Sequence, residues 1–296
     1  MQVKPSLPPE EAREAVVRAI ALAEMTAVAG AGSALARRAL GRLLAIPASA
    51  LARSLVDLDR DLARGTLRDA ALRRLRHYGV EARLDPPPPR DGPLLVVANH
   101  PGLFDALALF AAIAREDLAT LAARRPLLDA LPNVRQRLLV IDPGASAAVA
   151  LKRSLRHLRR GGALLHFPAG QIEPDPRVTP RGAPLLLPWK PGLETLLTAA
   201  CRIRPDLRVV PAVVSGVISW RALAIARLVG RREGLTDALV PLLQLTLPGF
   251  GDVDVRVRFG AAAAPSADAA RRLRAAVESI ALEIPRRDPT FPPRKR

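Results

Sequence analysis

Residues Leu94–Phe110 read LLVVANHPGLFDALALF, and this stretch decides the fold. Its five leading apolar residues suit a short, fully buried strand, and the apolar positions after Leu103 recur at helical spacing. Between the two lies Asn99-His100-Pro101-Gly102. The residue before a proline is pushed out of the helical region, while proline itself suits a first helical turn. His100 is therefore expected in a strand–helix loop, with Asp105 one turn into the helix. On one continuous helix the two side chains would point about 140° apart and could not meet. With the loop between them, the carboxylate can reach back to the imidazole. An aspartate bonded to one ring nitrogen fixes the tautomer and makes the other nitrogen a better base. In α/β sheets the mouth of such a loop is where ligands bind. No Gly-x-Ser-x-Gly motif is present, so the nucleophile for such a base would come from the substrate.

The surrounding sequence repeats the alternation. Segments 94–98, 138–142, 162–167, 208–214 and 252–260 read as strands, the last with the clean alternation of a half-exposed one. Segments 103–114, 146–161 and 266–284 read as helices, with Ser266 as the expected cap of the last. The fold class that follows is α/β: a central, mostly parallel or mixed sheet flanked by helices, with an N-terminal helical extension. Residues 1–84 form that helical region, in which Pro47 is expected to separate two helices. Residues 85–93, DPPPPRDGP, read as a stiff linker, residues 94–284 as the α/β domain, and residues 285–296 as a basic disordered tail.

Composition narrows the partners. The chain has 296 residues, 49% hydrophobic, enough for a sizeable core. It carries 45 Lys+Arg against 28 Asp+Glu, a net charge of +17. That field favours anionic surfaces, but aromatics are only 3%, too few for a base-stacking platform. Nucleic acid is therefore set aside as a partner, and an anionic membrane surface is preferred. No charge-free apolar run reaches the roughly 18–20 residues of a spanning helix; Ala19–Ala36 comes nearest and contains Glu24. The N-terminus lacks a secretory signal pattern. Peripheral attachment to the cytoplasmic face follows, through basic amphipathic helices, although the same helices also read as a hairpin packed on the main domain. The single Cys201 excludes an internal disulfide and a multi-cysteine zinc site, and no clustered metal ligands appear.

The motifs along residues 92–220 resemble those of the phospholipid/glycerol acyltransferase superfamily, which includes lysophosphatidic acid acyltransferases. NHPGLFD (99–105) is similar to its N-H-x-x-x-x-D motif, and LAARRPLL (121–128) to its A-K-x-x-L segment, with Arg124 where lysine is usual. LLVIDPG (138–144) resembles the F-I-D-R motif, HFPAGQIEP (166–174) the F-P-E-G motif, and PWKPG (188–192) the F-K-x-G segment. VVPAVVSG (209–216) resembles the fourth motif, marked by Pro211. The resemblance implies transfer of a fatty acyl group from an acyl-CoA or acyl carrier protein thioester to a hydroxyl or amine of a lysolipid-type acceptor. His100 would be the general base and Asp105 its orienting carboxylate. Asn99, Gly102, Arg124, Phe167, Pro168, Gly170, Glu173, Lys190, Gly192 and Pro211 would serve substrate binding. No bound cofactor is implied; the thioester is a co-substrate.

The departures matter as much. Pro143 stands where the family has arginine, Ala169 where it has glutamate, and Ile172 where a basic residue often follows. These replacements remove an obvious phosphate clamp. Either neighbours such as Arg124, Arg135, Arg137, Arg177, Arg181 and Lys190 rebuild it, with Glu173 as the replacement carboxylate, or the acceptor is not a simple phosphate monoester. A non-catalytic lipid-binding protein keeping the fold is the rival reading. Among the other polar residues, His166 is expected to be structural at a strand end, His77 and His157 to lie on solvated faces, Trp189 to pack beneath Lys190, and Cys201 to be a small buried residue.

Overall fold

The computed structural model describes residues 10–28, 34–102, 104–142, 144, 147–229, 235–246, 249–250, 253–265 and 268–286. Helices α1 (Glu10–Val28), α2 (Ala34–Arg64) and α3 (Leu67–His77) precede strand β1 (Glu81–Leu84). Then come β2 (Leu94–Ala98), α4 (Asp105–Ile113), β3 (Ala119–Ala123), the short α5 (Pro126–Asp129) and α6 (Pro132–Gln136), and β4 (Leu138–Ile141). The chain continues through α7 (Ala147–Arg159), β5 (Ala163–His166), α8 (Gly192–Ile203) and β6 (Arg208–Ser215). It closes with α9 (Trp220–Val229), α10 (Leu235–Thr246), β7 (Asp254–Phe259) and α11 (Ala269–Leu282).

The strands form one seven-stranded sheet in the order β1-β7-β6-β2-β5-β3-β4. The five strands from β6 to β4 run parallel. β7 is antiparallel to β6, and β1 is parallel to β7. This is the mostly parallel, mixed sheet with flanking helices that the sequence predicts. Its centre is β2, all five of whose residues are buried, as a parallel strand covered on both faces requires. Leu94, Val96 and Ala98 pack against Phe104, Leu109 and Ile113 at α4 and against Leu67 and Leu75 of α3. Leu95 and Val97 face the other way, onto Leu158 of α7, Leu193 and Leu197 of α8, and Leu273 of α11. β7 alternates as expected, with Val255 and Val257 fully buried.

Two expectations are corrected. Pro47 does not divide the helix: α2 runs unbroken from Ala34 to Arg64. An interior proline costs about 3 kcal/mol, but Leu44, Ala48, Ala52 and Val56 form a buried stripe at four-residue spacing. Ala52 and Val56 pack on Val17 of α1 and Leu131 ahead of α6. Burying one such large side chain contributes about 1.5–3 kcal/mol, so the stripe outweighs the lost backbone bond. Second, the region up to residue 84 ends in a strand, since Glu81–Leu84 pairs with β7 at the sheet edge. The proline segment is tied to the domain at its end. Arg115 donates to the carbonyls of Gly92 (2.7 Å) and Gly161 (2.9 Å) while holding Asp117 through Nε and Nη2.

The N-terminal helices dock on the sheet domain. Fully buried Asp59 of α2 accepts the N–H groups of Asn133 (2.7 Å) and Val134 (3.0 Å), capping α6. On the outer side of α2, Leu43 and Ile46 are 75% and 73% exposed. Among the described residues no helix is long and apolar enough to cross a membrane. Ser266, Pro143, residues 29–33 of the Ala19–Ala36 stretch and tail residues 287–296 lie outside the described residues.

Candidate active site

The C-terminal ends of β6, β2 and β5 lie side by side, and the site is built where β2 ends. Asn99 is fully buried and exchanges two bonds with the β6 backbone: Nδ2 donates to the Val214 carbonyl (2.9 Å) and Oδ1 accepts the Val214 N–H (2.7 Å). It therefore fixes the β2 terminus against β6, and its amide is not turned toward a substrate. Asn99→Ala would leave two buried backbone groups unpaired at about 1–3 kcal/mol each. A loss of about 2–6 kcal/mol in urea unfolding is expected; a loss below 1 kcal/mol would show that the clasp is dispensable.

His100 follows in the loop, and Asp105 is the first residue of α4. Their side chains meet, with His100 Nδ1 2.6 Å from Asp105 Oδ2. The same oxygen accepts the Gly102 N–H at 2.8 Å, and Oδ1 accepts the Ala106 N–H at 2.5 Å. A carboxylate held by two backbone donors accepts the third hydrogen from Nδ1, which leaves Nε2 as the ring's free base. The Asp105 side chain is only 2% exposed, but that of His100 is 29% exposed, so the ring opens toward solvent. Gly102 adopts φ +102°, a left-handed value that glycine alone takes without strain. Phe167, just beyond β5, stacks on the imidazole with centroids 4.5 Å apart.

Burial disfavours the charged form of His100, but the Asp105 hydrogen bond and charge outweigh it, with help from Glu173. The imidazole pKa is raised above its ordinary value. His166 behaves oppositely: burial without a compensating anion lowers its pKa to about 4, so it stays neutral at the end of β5.

The F-P-x-G turn sits beside the dyad. The Gly170 N–H donates to the Phe167 carbonyl (3.1 Å), and the Lys190 N–H to the Pro168 carbonyl (2.9 Å). Lys190 crosses Gly170 so closely that a Cβ there would lie 2.6 Å from Nζ. Ala169 is buried, whereas Ile172 is 56% exposed and packs on Gly102. Glu173 is buried and bonds backbone on two segments, as described below. Gly192 opens α8.

Other expected site residues lie elsewhere. Arg124, at the end of β3, is ion-paired with Asp142 and Asp129. Pro211 lies within β6, paired in register with Val97, where its ring packs against Gly260. The proposed replacement clamp is also largely committed: Arg135 holds Asp129, Arg137 holds Glu116, and Arg177 holds Asp254. Lys190 lies beside the Phe167–Gly170 turn, its Nζ over Gly170. His157 is not solvated: its Nε2 bonds the Ala163 carbonyl at 2.8 Å, its ring lying over Gly162 where any side chain would clash. Trp189 packs against the core beside Leu193 and Leu273 with Arg274 over its ring, and half-buried Cys201 meets the Pro265 carbonyl.

Sequence reasoning missed Asp175, whose side chain accepts the N–H groups of Arg177, Gly216, Val217 and Ile218. It also missed the contact between Glu173 and His100. Both join segments far apart in the chain, and neither leaves a local spacing signal.

No protein family and no curated protein matches the sequence. Among solved structures, the chain is similar to the crystal structure of the 1-acyl-sn-glycerophosphate (LPA) acyltransferase, PlsC, from Thermotoga maritima. The identity is 17% and the TM-score 0.48, over 79% of this chain and 87% of that one.

Proposed function

We propose that this chain is an acyltransferase that moves a fatty acyl group from an acyl-CoA or acyl carrier protein thioester to a lysolipid-type acceptor. The observation that carries the reading is the 2.6 Å His100–Asp105 pair, with Nε2 free in a partly open loop at the mouth of a parallel sheet. The ordered motif resemblance supplies the reaction class. His100 Nε2 takes the proton as the acceptor hydroxyl attacks the thioester carbonyl. The new C–O bond forms, the tetrahedral carbon collapses, the C–S bond breaks, and the thiolate leaves with the proton returned by the imidazolium. Base catalysis of this kind contributes about 10²–10⁴-fold.

Such a reaction needs the protein at a lipid surface. The exposed Leu43 and Ile46 next to exposed Arg42 on α2, with the net charge of +17, support peripheral attachment to anionic lipid on the cytoplasmic leaflet.

The acceptor reading follows from the clamp. Pro143 and Ile172 bring no charge where the family has basic residues, and Arg124, Arg135 and Arg177 are already ion-paired. Charge-assisted hydrogen bonds contribute about 1.5–3 kcal/mol each, so losing two weakens a phosphate monoester more than tenfold. The test is thiol release from acyl-CoA and from acyl carrier protein, with acceptors presented in anionic vesicles. Non-phosphate lysolipids are expected to exceed lysophosphatidate by about tenfold or more in kcat/KM. A preference for lysophosphatidate would refute the acceptor assignment, and no thiol release with any acceptor would refute the acyltransferase reading.

A further inference from the structure

Glu173 lies on the loop after β5 and is 2% exposed, yet it is among the most connected residues near the dyad. Its Oε2 accepts the His100 backbone N–H at 3.0 Å, and its own N–H donates to the His100 carbonyl at 2.7 Å. Its Oε1 accepts the Leu187 N–H at 3.1 Å. One residue thus grips both backbone groups of His100 and ties the loop after β2 to the segment leading into α8. Both oxygens face N–H donors, the pattern of a carboxylate and not of a neutral acid. Each oxygen is engaged by a backbone donor.

Resting on the assignment of His100 as the base, we propose that Glu173 is the positioning residue for it. Glu173 holds the His100 backbone so that the ring meets Asp105 on one side and the reacting hydroxyl on the other, and its negative charge favours the imidazolium formed in turnover. In this chain the carboxylate missing at Ala169 is supplied four residues later, to the histidine and not to the acceptor.

The charges around the ring fit this role. Asp105 approaches from α4, and Glu173 from the β5 loop. Lys190 lies across Gly170, in the turn that follows Phe167. Arg274 of α11 donates to the Leu187 carbonyl at 2.6 Å, and its charge helps keep Glu173 ionised against the burial that raises its pKa. His166, the neighbouring imidazole, is uncharged at neutral pH.

The test uses the full chain with Glu173→Gln and Glu173→Asp. Two quantities are measured: kcat and KM against pH, and the titration of the His100 ring by NMR, identified by its loss in His100→Ala. In Glu173→Gln the amide nitrogen must face one of the two backbone donors, and the charge is gone. The expected result is a fall in kcat of about ten- to a hundredfold, with KM changed by no more than about twofold. The acidic limb and the His100 titration both move to lower pH. Glu173→Asp keeps the charge and recovers part of kcat and most of the pH position; it carries the test if the Gln variant does not fold. A raised acceptor KM with an unmoved limb would make Glu173 a substrate residue and overturn the proposal. A lower melting temperature with unchanged kcat and titration would overturn it as well. If His100→Ala keeps full activity, the acyl-transfer mechanism fails, while the NMR shift still reports whether Glu173 governs the His100 ring.

Discussion

Asp105→Asn is expected to lower acyl-transfer kcat by about 10²–10⁴-fold with the fold intact. Asp105 accepts three hydrogens: from Gly102 N–H and His100 Nδ1 on one oxygen, and from Ala106 N–H on the other. Asparagine offers a single oxygen. If that oxygen faces Ala106, the amide NH₂ opposes the Gly102 donor and donates to His100 Nδ1. The ring hydrogen then moves to Nε2, and the base is lost. If it faces His100 and Gly102, the NH₂ opposes Ala106 and strains the start of α4. The pH dependence carries a sign as well. The raised pKa of His100 puts the acidic limb of the wild type at higher pH than an ordinary imidazole would, because activity requires the neutral ring and disappears as pH falls through that pKa. In the variant the lowering effect of burial prevails, so the residual activity should persist to lower pH than in the wild type. A limb that stays in place would mean that Asp105 does not set the ring's basicity.

The largest effect on stability is expected at Asp175. Its carboxylate is 1% exposed and accepts four backbone N–H groups, three of them from the turn Gly216–Ile218 after β6. Gly216 reaches this turn with φ +72°, and a Cβ there would collide with the Asp254 carbonyl. Asp175→Ala leaves all four donors without their acceptor. Each buried one costs about 1–3 kcal/mol, a sum approaching the 5–15 kcal/mol that holds a typical domain together. The variant should show a largely lost near-ultraviolet circular dichroism signal at physiological temperature, with Asp175→Asn intermediate. A melting temperature within a few degrees of wild type would show that water readily takes over the turn. The position matters for function too, because Asp175 lies two residues from Glu173 and anchors the same loop.

What could be read from the sequence was local. The strand–loop–helix unit around Pro101 determined where His100 and Asp105 sit, and the structure brings them together through five residues of chain. β2, β4, β5, β6 and β7 carried runs of valine, leucine or isoleucine that announced them. β3, ATLAA, did not, because alanine has little preference for strands and only its pairing with β4 and β5 makes it one. β1, EARL, is a short, charged edge strand whose identity depends on β7, more than 150 residues later. Pro47 misled for the complementary reason: a local rule was overridden by a buried stripe on α2. Glu173 was picked out by its charge but assigned to the substrate. Its partner is the His100 backbone, 73 residues away, and no spacing within HFPAGQIEP indicates that. Arg124 differs in part: Asp129 lies five residues on, but Asp142 is brought to it only by the pairing of β3 with β4.

The most direct test of the central claim is the rate of thiol release from an acyl thioester in the presence of a lysolipid acceptor, compared between wild type and His100→Ala. Base catalysis by His100 requires acceptor-dependent release by the wild type and a loss of about 10²-fold or more in a variant that remains folded. Equal rates in the two proteins would contradict it.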